Sequence, residues 1–191
     1  SNRVSSDNAQ GRWDAIYGDH DKPGDPDSFV TESEFLPLPP TTVADFAGGT
    51  GGTALWLREQ GFDVTLIDVS QVALDIAQQE ATRRRLSLST VHHDLESPNL
   101  LTGSWHMAVC CDFFDRTLYS TFHRHVAPHG PLFVRVATVT NQQRNPRPSK
   151  KYLVERGELP GLLPGFTALD YEEAWFDNRH EARMICRRIV D

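Results

Sequence analysis

The chain has 191 residues, a formal net charge of −7, and 39% hydrophobic and 24% charged residues. This length suits one domain with a single sizeable core. We expect no nucleic-acid partner, because binding to a phosphate backbone draws on a basic surplus that this composition lacks. No stretch approaches the ~18–20 apolar residues of a membrane span, and the first residues contain no apolar signal core, so we expect no membrane partner and a cytoplasmic location.

The first 34 residues are polar and are predicted to be rich in loops. Trp13, Tyr17 and Phe29 are scattered aromatic residues within them. The cluster 23-PGDPD-27 predicts turns. The run 36-LPLPP-40 cannot form a helix interior, because proline lacks the N–H that a helix needs.

A regular alternation of strands and helices follows. We predict strands at 42–47, 63–69, 88–94, 105–114 and 131–139, and helices at 53–60, 70–85 and 118–126. This order predicts a parallel sheet with helices on its faces. A short helix near 157–163 precedes two final strands, at 166–177 and 180–190, which Asn178 is suited to join as a hairpin.

The stretch 45-DFAGGTGG-52 lies between the first strand and the first of these helices. Its glycines allow a close approach of backbone to a ligand, and the helix that follows offers free N–H groups. In open α/β sheets, ligands bind beyond the carboxyl ends of strands, where the strand order reverses. The loop is therefore a candidate cofactor site.

Two cofactor classes fit this loop. Residues 49–54 match the dinucleotide pattern G-x-G-x-x-G/A, and Asp68 follows at 68 − 49 = 19 positions, where an acid holds a ribose. However, Asp45 would repel a pyrophosphate and attract the ammonium and sulfonium groups of S-adenosylmethionine. Asp68 can accept hydrogen bonds from both ribose hydroxyls, and Asp94 from an adenine amino group. These acids and the terminal hairpin favour S-adenosylmethionine.

Together these motifs resemble the class I S-adenosylmethionine-dependent methyltransferases. The sequence is most similar to the branch with tellurite-resistance-type and thiopurine-type enzymes, over roughly residues 13 to 188. The resemblance is carried by 45-DFAGGTG-51, 65-TLIDVSQVALDIA-77, 93-HDLE-96, 127-APHGPLFV-134, 145-NPRPSKKYLVERGEL-159, and 13-WDAIY-17 with 26-PDSFV-30.

The resemblance implies an α/β fold of the Rossmann-like class I methyltransferase type. This is a three-layer sandwich with a seven-stranded, mostly parallel sheet of order 3-2-1-4-5-7-6 and an antiparallel C-terminal hairpin. Residues 1–34 would form an N-terminal cap or substrate segment, and residues 35–191 a single methyltransferase domain. The cofactor would be S-adenosyl-L-methionine, with S-adenosyl-L-homocysteine as product, and the substrate a small molecule such as a thiol or a chalcogen oxyanion. The protein would be a monomer or a homodimer.

The resemblance also assigns site residues. Cofactor contacts are expected from Trp13, Tyr17, Asp45, Ala47, Gly48, Gly49, Gly51, Asp68, Val69, Asp94, Leu95 and Cys111. Trp13 and Tyr17 either cap the cofactor or pack an N-terminal helix. Substrate contacts are expected from Asp112, Arg116 and Arg147, and the basic stretch 144–156 is either a lid or a mobile loop.

The catalytic residues stay unassigned. The end of the fourth strand, 110-CCDFFDR-116, lacks a tetrad such as Asn-Pro-Pro-Tyr, which argues against methylation of nucleic-acid bases or glutamine. Asp112 stands where many relatives have a neutral residue. If a general base is needed, Asp112, Asp115 and His93 are candidates, whereas a thiolate or chalcogen acceptor needs none.

We predict no metal site. The adjacent Cys110 and Cys111 lie in an apolar run, whereas zinc sites use spaced cysteine pairs. His123, His125 and His129 have H-x-H spacing, but nothing nearby completes a ligand set. Two other functions stay open, a non-catalytic S-adenosylmethionine-binding or regulatory protein and an NAD(P)-dependent reductase, because a fold does not fix a function.

Overall fold

The computed structural model describes residues 2–96 and 101–190. Residues 1, 97–100 and 191, which belong to the predicted cap segment and domain, lie outside the described residues. The chain forms two compact units, Ser1–Gly103 and Ser104–Asp191. Within the described ranges, no helix has the length and apolar character needed to cross a membrane.

The first unit begins with helices α1 (Asn2–Tyr17) and α2 (Ser28–Thr31). The expectation of a loop-rich N-terminus is therefore wrong for α1. This helix has no apolar stripe in the sequence, and a polar contact attaches it instead. Asp14 accepts hydrogen bonds from Ser70 Oγ at 2.5 Å and from the backbone N–H of Val72 at 3.3 Å.

Three parallel strands form the sheet of this unit: β1 (Thr42–Phe46), β2 (Asp63–Asp68) and β3 (Ser89–His92), with β2 in the middle. Helices α3 (Gly52–Glu59) and α4 (Gln71–Arg83) follow β1 and β2. Ser70 caps α4, because its Oγ accepts from the N–H of Ala73 at 3.1 Å. Helix α3 ends within one residue of the predicted end at 60, and Gly61, with a φ of +100°, follows its C-cap.

The second unit contains β4 (Met107–Cys111), α5 (Arg116–Thr121), β5 (Pro131–Ala137), β6 (Phe166–Phe176) and β7 (Arg179–Arg188). Strands β4 and β5 are parallel, and β7 pairs antiparallel with both β5 and β6. Four short 3-10 helices, at Phe122–Arg124, Val139–Gln143, Lys150–Tyr152 and Leu159–Leu162, lie in the connections.

The seven strands have the order β3-β2-β1-β4-β5-β7-β6, which confirms the predicted mostly parallel sheet with a terminal hairpin. The bounds of some elements differ from the prediction. The expected helix at 118–126 starts earlier and is α-helical only to Thr121, since Ser120 and Thr121 bond back to the carbonyls of Thr117 and Leu118, which competes with helix continuation. Strand β4 stops at Cys111, because the next residue, Asp112, has a φ of +65°.

Candidate functional site

The glycine-rich loop between β1 and α3 is a tight turn within the first unit. The N–H of Gly51 donates to the carbonyl of Gly48 at 3.2 Å. Gly49 and Gly51 have φ values of +61° and +88°, which glycine adopts without strain. A Cβ at Gly49 would lie 2.8 Å from the hydroxyl of Tyr17, and one at Gly51 would lie 2.8 Å from Cβ of Ala77. The positive φ at both positions, and the contact with Ala77 at Gly51, therefore favour glycine without any ligand.

Asp45, the acid at the start of the loop, is 3% exposed. Its Oδ2 atom is buried and has no hydrogen-bond partner among the residues that the structure describes. Burial, together with the nearby carboxylates of Asp68 and Asp27, raises the pKa of Asp45 to about 8. A buried carboxyl oxygen without a donor is costly, so this atom is suited to a ligand that brings a donor or a positive charge.

Asp68 ends β2 and is also buried. Its Oδ2 accepts from the N–H of Gly49 at 2.8 Å, and its Oδ1 accepts from the N–H of Ser70 at 2.9 Å. Burial raises the pKa of Asp68, and these backbone hydrogen bonds partly oppose the rise. Each carboxylate oxygen retains a second lone pair for a ribose hydroxyl. Asp68 therefore holds the glycine loop in addition to any contact with a ligand.

Substitution of Asp68 by alanine is expected to weaken binding of S-adenosylhomocysteine by ~1.5–3 kcal/mol, the worth of a hydrogen bond to a charged group. It is also expected to lower the free energy of unfolding, because the N–H groups of Gly49 and Ser70 lose their acceptors. Calorimetric titration and urea denaturation measure the two effects. Asp63→Ala, at the exposed start of β2, is the control, and unchanged affinity in Asp68→Ala would remove Asp68 from the cofactor site.

Residues 23–27, which we call the strap, lie against the start of α3. The N–H of Gly24 donates to Thr50 Oγ1 at 3.0 Å, and the N–H of Asp27 donates to Thr53 Oγ1 at 2.9 Å. A Cβ at Gly52 would lie 2.9 Å from the carbonyl oxygen of Asp25 and closer still to that of Gly24. Carbonyl oxygens of the strap therefore face the first residue of α3, beside the N-terminus where a pyrophosphate would bind.

The aromatic residues of α1 lie near the loop. Trp13 and Tyr17 stack with ring centroids 5.9 Å apart and an interplanar angle of 24°. Tyr17 is the nearer of the two, since its hydroxyl lies beside Gly49. The structure thus brings Tyr17, Asp45 and Asp68 to the same glycine turn.

The other expected cofactor contacts occupy turns that follow the strands. Ala47 has a φ of +55° directly after β1, and the carbonyl of Val69 lies 2.8 Å from His92 Nε2 after β2. Asp94 Oδ1 accepts from the N–H of Glu96 at 3.0 Å, and Leu95 is 8% exposed. Cys111 belongs to the second unit, where it is half-buried at the end of β4.

The expected substrate residues of the second unit have protein partners. Asp112 accepts from both Nη atoms of Arg135, at 2.7 and 2.8 Å, and its Oδ1 lies 2.7 Å from Nη2 of Arg179. Arg116 forms an ion pair with Glu158 at 2.7 Å. The guanidinium of Arg116 also lies 4.6 Å from the ring centroid of Phe114. The lone pairs of Asp112 are thus directed at guanidinium groups, which makes it a poor candidate base.

Two more candidates have structural contacts. Asp115 accepts from the N–H of Leu118 at 2.7 Å and so caps α5. The N–H of His93 donates to the carbonyl of Asp68 at 3.0 Å, which fixes the chain after β3. Arg147 is exposed in the basic stretch. That stretch contacts the hairpin, because Arg144 lies 3.9 Å from the ring centroid of Trp175 and Asn145 forms two hydrogen bonds with Asn178.

The sequence reasoning missed the charged residues of β5 and β7. Arg135 interrupts the apolar run 131-PLFVRVATV-139. This position could have indicated a charge cluster, because an arginine in a buried strand needs charged or polar partners. Arg179, Glu181 and Arg183 recur every second residue, so they share one face of β7. It also missed His180, whose Nδ1 lies 2.6 Å from Thr138 Oγ1 and whose pKa burial lowers.

Within residues 2–96 and 101–190, no set of three or more His, Cys, Asp or Glu side chains is arranged to hold a metal ion.

Comparisons with known proteins concern the family and the fold. Residues 43–130 match the family model of a methyltransferase domain, which spans the chain from β1 to just before β5. A comparison with curated proteins finds no match.

Several solved structures are similar over most of the chain. TehB from Haemophilus influenzae has a TM-score of 0.74 and 18% identity, over 93% of this chain and 67% of that chain. A protein of echinomycin biosynthesis, where a disulfide bond is converted into a thioacetal group, has a TM-score of 0.73 and 19% identity, over 94% and 91%. Magnesium protoporphyrin IX methyltransferase (ChlM) from Synechocystis PCC 6803 with bound SAH has a TM-score of 0.70 and 18% identity, over 98% of this chain and 99% of that chain. The chain thus has the Rossmann-like methyltransferase fold.

Proposed function

We propose that the protein is an S-adenosylmethionine-dependent methyltransferase that acts on a small molecule. The observation that carries this proposal is the buried Oδ2 atom of Asp45, which has no partner among the described residues and lies beside a glycine turn. The nearby carboxylates of Asp68 and Asp27 help to raise the pKa of Asp45 to about 8. An ammonium group placed beside Asp45 would favour its ionised form and would then be held by Coulomb attraction.

The same features argue against a dinucleotide. A pyrophosphate binds to the free N–H groups at the start of a helix, and nearby negative charge repels it. The carbonyl oxygens of Gly24 and Asp25 lie at the start of α3, where their partial negative charge would face the phosphate oxygens. An NAD(P)-dependent reductase is therefore disfavoured on electrostatic grounds, although Gly49 and Gly51 match its sequence pattern.

Roles for the individual residues follow as parts of the proposal. Asp45 would hold the ammonium group, Asp68 the ribose hydroxyls and Asp94 the adenine amino group, with Tyr17 and Trp13 covering the cofactor. The other expected contacts, from Ala47 to Gly51 and at Val69, Leu95 and Cys111, would line it with backbone and apolar surface. Residues 1–34 would act as the cap over residues 35–191. A monomer or a homodimer stays a prediction.

Thiols and chalcogen oxyanions are the acceptors that we favour. The cofactor carries its methyl group on a sulfonium sulfur, so the thioether that departs is already a good leaving group. The protein therefore mainly aligns the acceptor and excludes water. Such positioning can lower the activation barrier by roughly 7–11 kcal/mol. Of the candidate bases, Asp112 and Asp115 are engaged by Arg135 and Leu118. Acceptors that need no base suit such a site, and the likeness to TehB supports the same branch.

A direct test is calorimetric titration of the protein with S-adenosylhomocysteine and, separately, with NADH and NADPH. We expect binding of the first and none of the others, and the reverse result would contradict the proposal. Transfer of a labelled methyl group to a panel of thiols, selenite and tellurite then measures activity. Cofactor binding without transfer to any acceptor class would favour a non-catalytic binding or regulatory protein, an alternative that the engagement of Asp112 and Asp115 also supports.

A further inference from the structure

Helix α1 buries little apolar surface against the rest of the first unit. Among residues 9–17, the part of α1 whose side chains the structure describes, none is fully buried. Trp13 and Tyr17 are half-buried, and Ile16 is 48% exposed. An isolated helix of about this length is marginal in water, so α1 depends on contacts with its neighbours. Polar contacts therefore contribute much of its attachment.

Asp14 makes such a contact at the start of α4. Its Oδ1 accepts from Ser70 Oγ at 2.5 Å and from the N–H of Val72 at 3.3 Å. Ser70 Oγ accepts in turn from the N–H of Ala73. The free N–H groups at the start of α4 are thus satisfied partly by Ser70 and partly by a carboxylate from another helix. The dipole of α4 stabilises negative charge at this position.

The same serine is bonded to Asp68, the acid that we propose to hold the ribose. The N–H of Ser70 donates to Asp68 Oδ1 at 2.9 Å, and the N–H of Gly49 donates to Asp68 Oδ2 at 2.8 Å. The hydroxyl of Tyr17 lies beside Gly49. Tyr17 follows Asp14 by three residues on α1, so the two side chains lie on the same face of the helix. Contacts therefore lead from Asp14 through the turn after β2 and the glycine loop back to α1.

The centre of this chain of contacts is buried. Ser70 is fully buried, and Asp68 is 5% exposed. Loss of a hydrogen bond at such a place leaves a polar group unpaired, which is costly. Undocking of α1 would remove the carboxylate acceptor from the Ser70 hydroxyl and from the N–H of Val72. It would therefore alter the turn that carries Asp68.

The N-terminal segment is attached at two places. Asp14 attaches it to the start of α4, and the strap attaches it to the start of α3 through the N–H groups of Gly24 and Asp27. Of these two attachments, Asp14 is the one that the segment makes with a side chain of its own. It is also the one that shares a bonded residue, Ser70, with Asp68.

We propose that Asp14 is a positioning residue for the cofactor, and that docking of α1 and binding of the cofactor stabilise each other. Asp14 acts through its hydrogen bonds, which hold Tyr17 at the glycine turn and Ser70 beside Asp68. This inference rests on the proposed function and assigns the attachment of the predicted cap to one side chain. Such coupling is reciprocal, because a docked α1 that raises the affinity for the cofactor must itself be stabilised by the cofactor to the same extent.

Hydrogen exchange of the wild type, with and without saturating S-adenosylhomocysteine, tests the coupling. The ligand is expected to slow exchange of the backbone amides of residues 12–17 by about fivefold or more, the lower end of common coupling between sites. Exchange in α1 that S-adenosylhomocysteine leaves unchanged would overturn the inference. This measurement needs no variant, so it decides even if a substitution at Asp14 unfolds the protein.

Calorimetric titration of variants with S-adenosylhomocysteine tests Asp14 itself. Asp14→Ala is expected to weaken binding by about fivefold or more. Asp14→Asn is expected to keep most of the affinity, because its amide oxygen can still accept both hydrogen bonds. Asp19→Ala, which removes an exposed carboxylate just after α1, is the matched control for charge and is expected to bind as the wild type does. Wild-type affinity in Asp14→Ala, or an equal loss in Asp14→Asn or Asp19→Ala, would overturn the inference.

A double-mutant cycle separates positioning from simple destabilisation. Tyr17→Leu removes the hydroxyl that lies beside Gly49. If Asp14 acts by holding α1 in place, the variant with both Asp14→Ala and Tyr17→Leu loses less affinity than the product of the two single losses. A loss equal to that product would mean that Asp14 does not act through the position of Tyr17, and would overturn the inference.

Failure of this inference is distinguishable from failure of the proposed function. Without binding of S-adenosylhomocysteine to the wild type, the proposed function itself fails. If S-adenosylhomocysteine binds to the wild type and to Asp14→Ala equally well, only the role of Asp14 is lost.

Discussion

Substitution of Asp45 by asparagine is expected to make the cofactor-free protein less sensitive to pH and to weaken cofactor binding. In the wild type, burial and the carboxylates of Asp68 and Asp27 raise the pKa of Asp45 from 3.8 to about 8. Asparagine has nearly the same shape but cannot ionise. Both effects therefore isolate the charge of one buried side chain.

The effect on stability has a definite sign. Between pH 3.8 and about 8 the folded protein keeps a proton on Asp45 that the unfolded chain has lost. The contribution of Asp45 to the free energy of unfolding is therefore fully present below pH 3.8, the pKa in the unfolded chain. It is lost as pH rises towards about 8, the pKa in the folded protein, by about 1.4 kcal/mol per pH unit. The variant lacks this loss, so its stability relative to wild type rises with pH.

Urea denaturation at about pH 5.5, 6.5 and 7.5 measures this difference, and taking variant minus wild type removes the contributions of the other carboxyl groups. Asp63→Asn, at the exposed start of β2, is expected to show no such trend. A pH-independent difference for Asp45→Asn would mean that Asp45 is ionised in the folded protein, with a partner other than those described.

Binding of the cofactor is expected to have the opposite pH dependence. An ammonium group beside Asp45 favours the carboxylate, so binding releases up to one proton, and affinity rises by up to about tenfold per pH unit below the pKa. Calorimetry in two buffers of different ionisation enthalpy counts the protons released on binding S-adenosylhomocysteine. Asp45→Asn is expected to bind more weakly, by ~1.5–3 kcal/mol when the wild-type carboxylate is ionised. Proton uptake by the wild type would contradict this arrangement.

The parts of the fold that the sequence predicted are those where local pattern and burial agree. Strand β4 is a continuous apolar run, and β5 is an apolar run interrupted only by Arg135; both are largely buried in the structure. Ser70, a residue type typical of helix N-caps, caps α4. The position of β7 between β5 and β6 is not a local property. It followed from the family resemblance, and the structure confirms it.

The parts that the sequence did not predict depend on contacts between distant residues. Helix α1 is attached by Asp14 to Ser70, 56 residues away, and no periodic pattern encodes such a contact. Arg135 pairs with Glu181, which lies 46 residues away in the sequence. Arg135 could be recognised as unusual, but its partners become known only when the register of β5 and β7 is known.

The glycine loop shows how a correct motif can have more than one cause. The sequence favoured glycine there because a ligand approaches the backbone. In the structure, neighbouring parts of the protein already fill the space of the missing side chains: Tyr17 at Gly49, Ala77 at Gly51, and the strap at Gly52. At Gly48 a Cβ would meet Leu66 Cδ1 and would lie 2.6 Å from Oδ2 of Asp45, the atom that we propose to contact the cofactor. The packing of the protein itself therefore favours glycine at all four positions, whether or not a ligand also approaches the loop.

The strap makes Gly52→Ala the second substitution with a large expected effect. Two influences predict opposite signs. Gly52 is the first residue of α3, and alanine in place of glycine within a helix stabilises by up to about 1 kcal/mol. The new Cβ would meet the carbonyl oxygens of Gly24 and Asp25, and backbone cannot move aside as easily as a flexible side chain. We expect the steric effect to dominate and the variant to lose ~1–3 kcal/mol, as for other overpacked sites.

Urea denaturation gives the sign, and hydrogen exchange identifies the place. The N–H groups of Gly24 and Asp27, which bond to Thr50 and Thr53, are expected to exchange faster in Gly52→Ala if the strap is displaced. Gly11→Ala in α1 is the matched control, because a Cβ there meets nothing within 4 Å, so only the gain in helix propensity remains. If Gly52→Ala is as stable as Gly11→Ala and its strap amides exchange as in the wild type, the strap does not pack on α3.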